Sequence, residues 1–310
     1  MKGQTALLTA VAIGVTLICL LGASWLGPIG AFLNLLTPIA AAYLSMRFGL
    51  QAGVVVVAVV GLLVLQLAPL SILAAYIGLF AVGSLLLPWL LQRRLPWDQA
   101  VLLAALGSVL ATLVMAIASM LADGLQFDQL IGRLLQSEVD QAIQIYRDSG
   151  FSESQLQEMQ GIVDGIAEFI RQTFYGLYLT GVLAIQLLCL AVLQRLKKAH
   201  YRIEGIAFDR WRLPVALVWV LIVAGFAMLV PQQQVMLVGR NLLAVLLPLY
   251  FLQGLSVVSS FLQRKTYPPV LKGMIYLMVF ILNPLPLIIT GVGVFDLWVD
   301  FRRPRKKDIK

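Results

Sequence analysis

The side chains of this chain best placed for chemistry carry no charge. Gln253 follows Pro248 by five residues inside a long apolar run, and Ser256 lies three residues further on. Asn34 and Thr37 stand just before Pro38, and Gln186 interrupts another apolar run. A proline in a membrane helix frees carbonyls in the preceding turn, and polar groups near such breaks often line a solute site. Asn34, Thr37, Gln186, Gln253 and Ser256 therefore form the candidate solute-binding set. Hydrogen bonding between helices, worth about 0.6 kcal/mol a pair, accounts for the same residues. Ala100, Ala104, Ser108, Thr112 and Ala116 recur at every fourth position. That stripe is the pattern of close helix packing, centred on Ala104, Ser108 and Thr112.

Ionisable chemistry is scarce. Cys19 and Cys189 each sit in apolar runs, where small packing residues suffice. His200 is the single histidine and lies in a basic loop, which excludes a multi-histidine metal site. The middles of the apolar runs lack Asp, Glu, Lys, Arg and His. A carboxylate proton relay and an intramembrane protease both need such groups. Paired carboxylates and a glycine-rich phosphate loop are missing too. Asp296 and Asp300 stand close before the basic tail, where pairing with Arg302, Arg303 or loop arginines is the ordinary expectation. Gly161 and Gly165 read as close-packing positions. Neither an enzyme activity, a metal nor a cofactor is expected.

The elements that must carry these residues follow from composition. Of 310 residues 60% are apolar and 12% charged, with mean hydropathy +0.91. Soluble domains are about 45–50% apolar and about 25% charged. The fold class is therefore an all-α polytopic membrane protein. A hydrocarbon core about 30 Å thick needs about 20 helical residues. The apolar runs predict about ten transmembrane helices, at 5–25, 29–46, 50–67, 70–91, 99–121, 172–194, 213–230, 241–262, 268–283 and 285–301. Lys2 followed by Ala6–Leu21 reads as a retained first helix, because the run is long for a signal peptide. The last two segments, split at Asn283-Pro284-Leu285-Pro286, read as two spans; one span or a re-entrant hairpin are the alternatives.

The net charge of +8 sits mainly at the ends of these runs. Arg47, Arg93, Arg94, the 195–212 loop, Arg264 and the 302–310 tail fall on one side, and the loops near 26 and 68 carry no charge. By the positive-inside rule both termini are cytoplasmic. The same rule explains the basic loop and tail without nucleic acid, which is not expected as a partner. Anionic lipid is the other reading of those charges.

Residues 122–171 differ in kind. They hold nine carboxylates against three arginines, a net −6. Leu130, Ile131, Leu134, Leu135, Val139 and Ile143 repeat with helical period, as do Leu156, Met159, Val163, Ile166 and Ile170. Asp128 suits an N-cap, Gly150 a C′ position, and Ser152 with Gln155 a capping box. The segment reads as an acidic extracytoplasmic helical hairpin whose second helix continues into the span at 172–194. The chain thus divides into five spans at 1–121, the hairpin at 122–171, five spans at 172–301, and the basic cytoplasmic tail at 302–310. One partner is the lipid bilayer. A small-molecule or lipid ligand would sit among the helices, and an envelope protein would engage the hairpin.

Two stretches carry a family resemblance. Leu247-Pro248-Leu249-Tyr250-Phe251-Leu252-Gln253-Gly254-Leu255-Ser256-Val257 resembles a span motif of the YybS-like family of bacterial integral membrane proteins. Gly291-Val292-Gly293-Val294-Phe295-Asp296-Leu297-Trp298-Val299-Asp300-Phe301-Arg302 resembles that family's closing segment. The family is distantly similar to the substrate-binding membrane components of energy-coupling-factor transporters. The resemblance implies a transporter-like, solute- or lipid-binding helical bundle in the bacterial inner membrane, with no ligand specified. A non-enzymatic envelope scaffold is the alternative.

Overall fold

The structure is a computed structural model that describes residues 2–26, 28–124, 127–149, 152–196, 201–264 and 267–302. Every regular element among them is helical. In chain order these are α1 (Lys2–Leu26), α2 (Pro28–Asn34), α3 (Thr37–Phe48), α4 (Leu50–Leu67), α5 (Leu70–Ala75), α6 (Val82–Gln92), α7 (Trp97–Asp123), α8 (Phe127–Asp148), α9 (Glu153–Leu196), α10 (Ala216–Ala227), α11 (Gln233–Gln263), α12 (Pro269–Ile281) and α13 (Leu285–Val299). A π-helical turn, Tyr76–Ala81, joins α5 to α6, and a 3-10 turn covers Phe208–Arg210.

Six apolar helices among the described residues are long enough to cross a membrane: Gly3–Gly22, Leu50–Leu67, Leu70–Gln92, Trp97–Leu121, Ser154–Leu196 and Gln233–Gln263. A seventh is reached if α12 and α13 count as one broken span. The other expected spans differ from uniform helices for local reasons. The 29–46 segment breaks at Leu35-Leu36, within one turn of Pro38, which has no N–H for the Asn34 carbonyl and whose ring crowds it. Between Pro214 and Pro231 only the twelve residues of α10 form α-helix. Helices α12 and α13 have thirteen and fifteen residues, about 20 Å each, short of a full crossing. The pair is bent by 100° at the break, the shape of one broken span or a re-entrant loop, the two alternatives to separate spans at 268–283 and 285–301. Helix α11 starts at Gln233 rather than near 241, which puts Arg240 inside the helix instead of in a loop.

The acidic stretch holds α8 and the first part of α9. Gln155 Oε1 accepts from the Ser152 amide at 3.0 Å, one half of the capping box at the start of α9, and from the Ser152 hydroxyl at 2.9 Å. Helix α8 begins at Phe127, which puts Asp128 in its first turn rather than at the cap. Gly150 lies outside the described residues. Gly161 and Gly165 have open space beside them, so they are not the close-packing positions their spacing suggested. Helix α9 then runs without a break to Leu196, 44 residues or about 66 Å, roughly twice the hydrocarbon thickness.

The chain falls into two compact units. The first takes the chain up to Ala167 together with Gly181–Gly205; the second takes Glu168–Thr180 and the chain from Ile206 onward. In the first, Gly53, Val56, Val60 and Val64 recur along one side of α4 and are buried, while Val54, Val55, Leu62 and Leu65 face outward. Valine on both sides is the mark of a helix between protein and lipid. Tyr76, Phe80 and Ala81 of the π-helical turn join Ala41, Leu44 and those valines in the core. In the second unit α11 packs against α10 and α13, and α12 against α13.

The ends of α3 and α6 lie together, because Gln92 Nε2 donates to the Ser45 carbonyl at 2.6 Å. That brings Arg47 and Arg93 to one end of the first unit. Each guanidinium rests on an aromatic ring, Arg47 over Phe48 at 5.0 Å and Arg93 over Trp89 at 4.4 Å. Cations anchored on aromatics suit a membrane–water boundary.

Candidate functional site

The five candidate residues fall in different surroundings. Thr37 is buried at the start of α3, and its hydroxyl donates to Asn34 Oδ1 at 3.2 Å. The pair spans the break between α2 and α3.

Gln186 lies on α9 within the first unit and is fully buried. Neither its amide nitrogen nor its amide oxygen has a hydrogen-bond partner, and the same holds for the Ser108 hydroxyl on α7. Both side chains converge on Gly83 of α6. A Cβ on Gly83 would lie 1.8 Å from Gln186 Nε2 and 2.8 Å from Ser108 Oγ. A side chain on Gly83 would have to displace the Gln186 amide from this volume. Further back along the chain, a Cβ on Gly78 would lie 2.2 Å from Thr112 Oγ1. Small side chains of α7 therefore pack directly on the glycine backbone of the π-helical turn and α6. Ala100, Ala104 and Ser108 are wholly buried along this contact face of α7.

Gln253 and Ser256 occupy the second unit, and both are engaged. Gln253 Oε1 accepts from the Leu213 amide at 3.0 Å, and its Nε2 donates to the Gly293 carbonyl at 2.9 Å. The Ser256 hydroxyl donates to the carbonyls of Phe208 and Trp211. Together they bind the irregular 206–213 segment, here called the strap, to α11 and α13. The seam between those helices is tight at two points. A Cβ on Gly254 would lie 2.0 Å from the Ile289 carbonyl oxygen, and one on Gly293 would lie 2.0 Å from that of Tyr250. The side chains that looked free for a solute thus fasten a loop.

The strap carries the charged part of the site. Asp296 is fully buried on α13 with Arg302 Nη2 at 2.9 Å and Arg212 Nε at 3.5 Å. Arg212 also pairs with Asp300. Arg302 Nη1 donates to the carbonyls of Asp209 at 3.1 Å and Trp211 at 2.8 Å. Burial lowers the pKa of Arg302, while the charge on Asp296 opposes that shift. The Arg264 guanidinium donates to the Arg302 carbonyl and lies over the Phe261 ring. Arg210, Arg212, Arg264 and Arg302 line one cleft of about 610 Å³ with Asp209, Ser260 and Gln263.

A family model described as "Predicted membrane protein (DUF2232)" matches residues 12–297. The chain belongs to that family. No curated protein and no solved structure matches it. For this DUF2232 member the membrane setting is consistent with the six long apolar helices. Among the described residues no three His, Cys, Asp or Glu groups stand close enough to hold a metal ion.

Sequence spacing missed two features. Asn241 joins Glu168–Thr180 to α11: its Oδ1 accepts from the Gly176 amide at 2.8 Å, and its Nδ2 donates to the Gln172 carbonyl at 2.8 Å. The absence of proline and glycine between Gln233 and Val238 was the available signal that α11 starts early. The arginine cleft joins positions up to 93 residues apart in contact, and no local pattern reports that.

Proposed function

We propose that this protein is a transporter-like, non-enzymatic bundle that binds a small neutral or amphipathic solute in the bacterial inner membrane. The reading rests on the buried Gln186 amide and Ser108 hydroxyl. A buried polar group left without a partner costs about 1–3 kcal/mol. An amide with both atoms in that condition, aimed at a bare glycine face, is worth its cost if it meets a hydrogen-bonding solute. The wall most able to yield is α5–α6, broken by a π-helical turn of the kind often found at functional positions. The YybS-like resemblance, with its distant similarity to energy-coupling-factor substrate-binding components, supports the same class. Asn34, Thr37, Gln253 and Ser256 then have supporting roles, since hydrogen bonds already engage them. In this reading the basic ends lie in the cytoplasm and α8 lies outside.

The test is native mass spectrometry of gently purified wild type and Q186L. The wild type should carry a small-molecule or lipid adduct that Q186L loses. An identical adduct spectrum, with Q186L more stable and its cellular role intact, overturns the reading.

A second reading has its own observation. Ile145, Ile162 and Ile166 are exposed on α8 and α9 in an acidic stretch. An envelope protein docking there would be lost on deletion of residues 128–168. A crosslinking pattern unchanged by that deletion ends the scaffold reading.

A further inference from the structure

We infer that the cleft between the strap and the ends of α11 and α13 binds a phosphate-bearing anion, independently of the Gln186 region. Four guanidinium groups converge on it, with the Ser260 hydroxyl and Gln263 amide beside them. Their carboxylate partners are unevenly placed. Asp296 and Asp300 offset Arg302 and Arg212, whereas Arg210 and Arg264 enter no ion pair among the described residues. Asp209 lines the same wall, so the anion must sit toward Arg210 and Arg264.

Arg302 gives the second observation. Its side chain is only 8% exposed, and its Nε has no hydrogen-bond partner although the other end of the guanidinium is held by two carbonyls and Asp296. A guanidinium held by two carbonyls and a carboxylate fixes a positive charge in the wall of the cleft. Arg264 is steadied as well, through its bond to the Arg302 carbonyl.

Phosphate fits better than a single carboxylate. It offers three or four oxygens to several planar forks at once, the geometry that arginine recognises bidentately. The volume of about 610 Å³ admits a phosphate with a small substituent. The cleft is built at the end of a long apolar helix, α11, so both a lipid headgroup and a soluble phosphate can reach it.

The test uses the full chain in nanodiscs of phosphatidylcholine containing a minor fraction of phosphatidylglycerol, with bound lipid counted by native mass spectrometry. Inorganic phosphate is titrated in a parallel thermal-shift experiment in neutral lipid. Retention of phosphatidylglycerol by the wild type, falling about tenfold in R210Q/R264Q, supports the site and assigns a lipid headgroup. A thermal shift with inorganic phosphate that R210Q/R264Q loses supports it and assigns soluble phosphate. S260F, which fills the cleft and leaves every arginine, should show the same loss if the double variant folds poorly. Q186L should bind as the wild type does, which separates this site from the proposed solute site. The inference is overturned if the wild type shows neither response, or if both cleft variants respond as the wild type. It is equally overturned if R93Q/R94Q, altered elsewhere, loses as much.

Discussion

Glu168 shows how one residue's surroundings set its behaviour. Its carboxylate receives hydrogen bonds from Arg171 at 2.7 and 2.8 Å and from Gln172 at 2.6 Å, four residues before the apolar stretch 172–194. These hold its pKa down to about 2, from an ordinary 4.5. A lowered carboxylate favours the folded state fully above its unfolded value and loses that effect as pH falls through the folded one. The cluster should therefore persist at pH 4.5 and open toward pH 2. Carboxyl NMR of labelled glutamate reads this directly, and R171Q should return the midpoint toward 4.5. At the same scale, Q253L leaves the buried Leu213 amide without its acceptor. Its expected cost is about 1–3 kcal/mol, with the strap exposed to proteolysis near Phe208. Limited proteolysis at unchanged rate would contradict that. Residue type marked Gln253 and Ser256 as unusual, but it could not say whether a solute or a loop would use them. The answer depends on residues about 40 positions away.

Elements were more legible than sites. Long apolar runs without proline, such as those of α4 and α7, became single helices because nothing in them competes with the backbone ladder. Segments bounded by proline became short pieces, since each missing N–H removes a helix bond, whereas α11 runs on through Pro248 and α6 through Pro88. The 213–230 and 268–301 segments show the shortening, since both are mainly apolar yet their helices have only 12, 13 and 15 residues. Helix pairing was not legible, because it depends on where glycines face each other. Gly254 and Gly293 make the prediction here. G293L should destabilise the α11–α13 pair by about 1–3 kcal/mol, the usual range for overpacking. G291L, at a glycine with open space beside it, should cost far less. Unfolding monitored in detergent compares the two.

For the whole molecule, the testable statement is sidedness. Cys19 and Cys189 are buried, so they leave a low background for thiol labelling. A cysteine at Ser149 should react in intact cells, and one at Arg94 only after the membrane is breached. Reaction of both from the same side would refute the layout. The overall class was readable because composition alone separates a membrane chain from a soluble one. The division into two units was not, because α9 contributes residues to both and its sequence shows no boundary.

The contact of Gly254 with Ile289 and of Gly293 with Tyr250 has a further consequence. Most packed surfaces absorb a nearby change by swinging a rotamer. Where two main chains touch, there is nothing to swing. Such a junction fixes the sliding register of both helices and leaves a pivot as its easiest motion. Changes in its neighbours should therefore leave it whole until it parts abruptly, as a latch does.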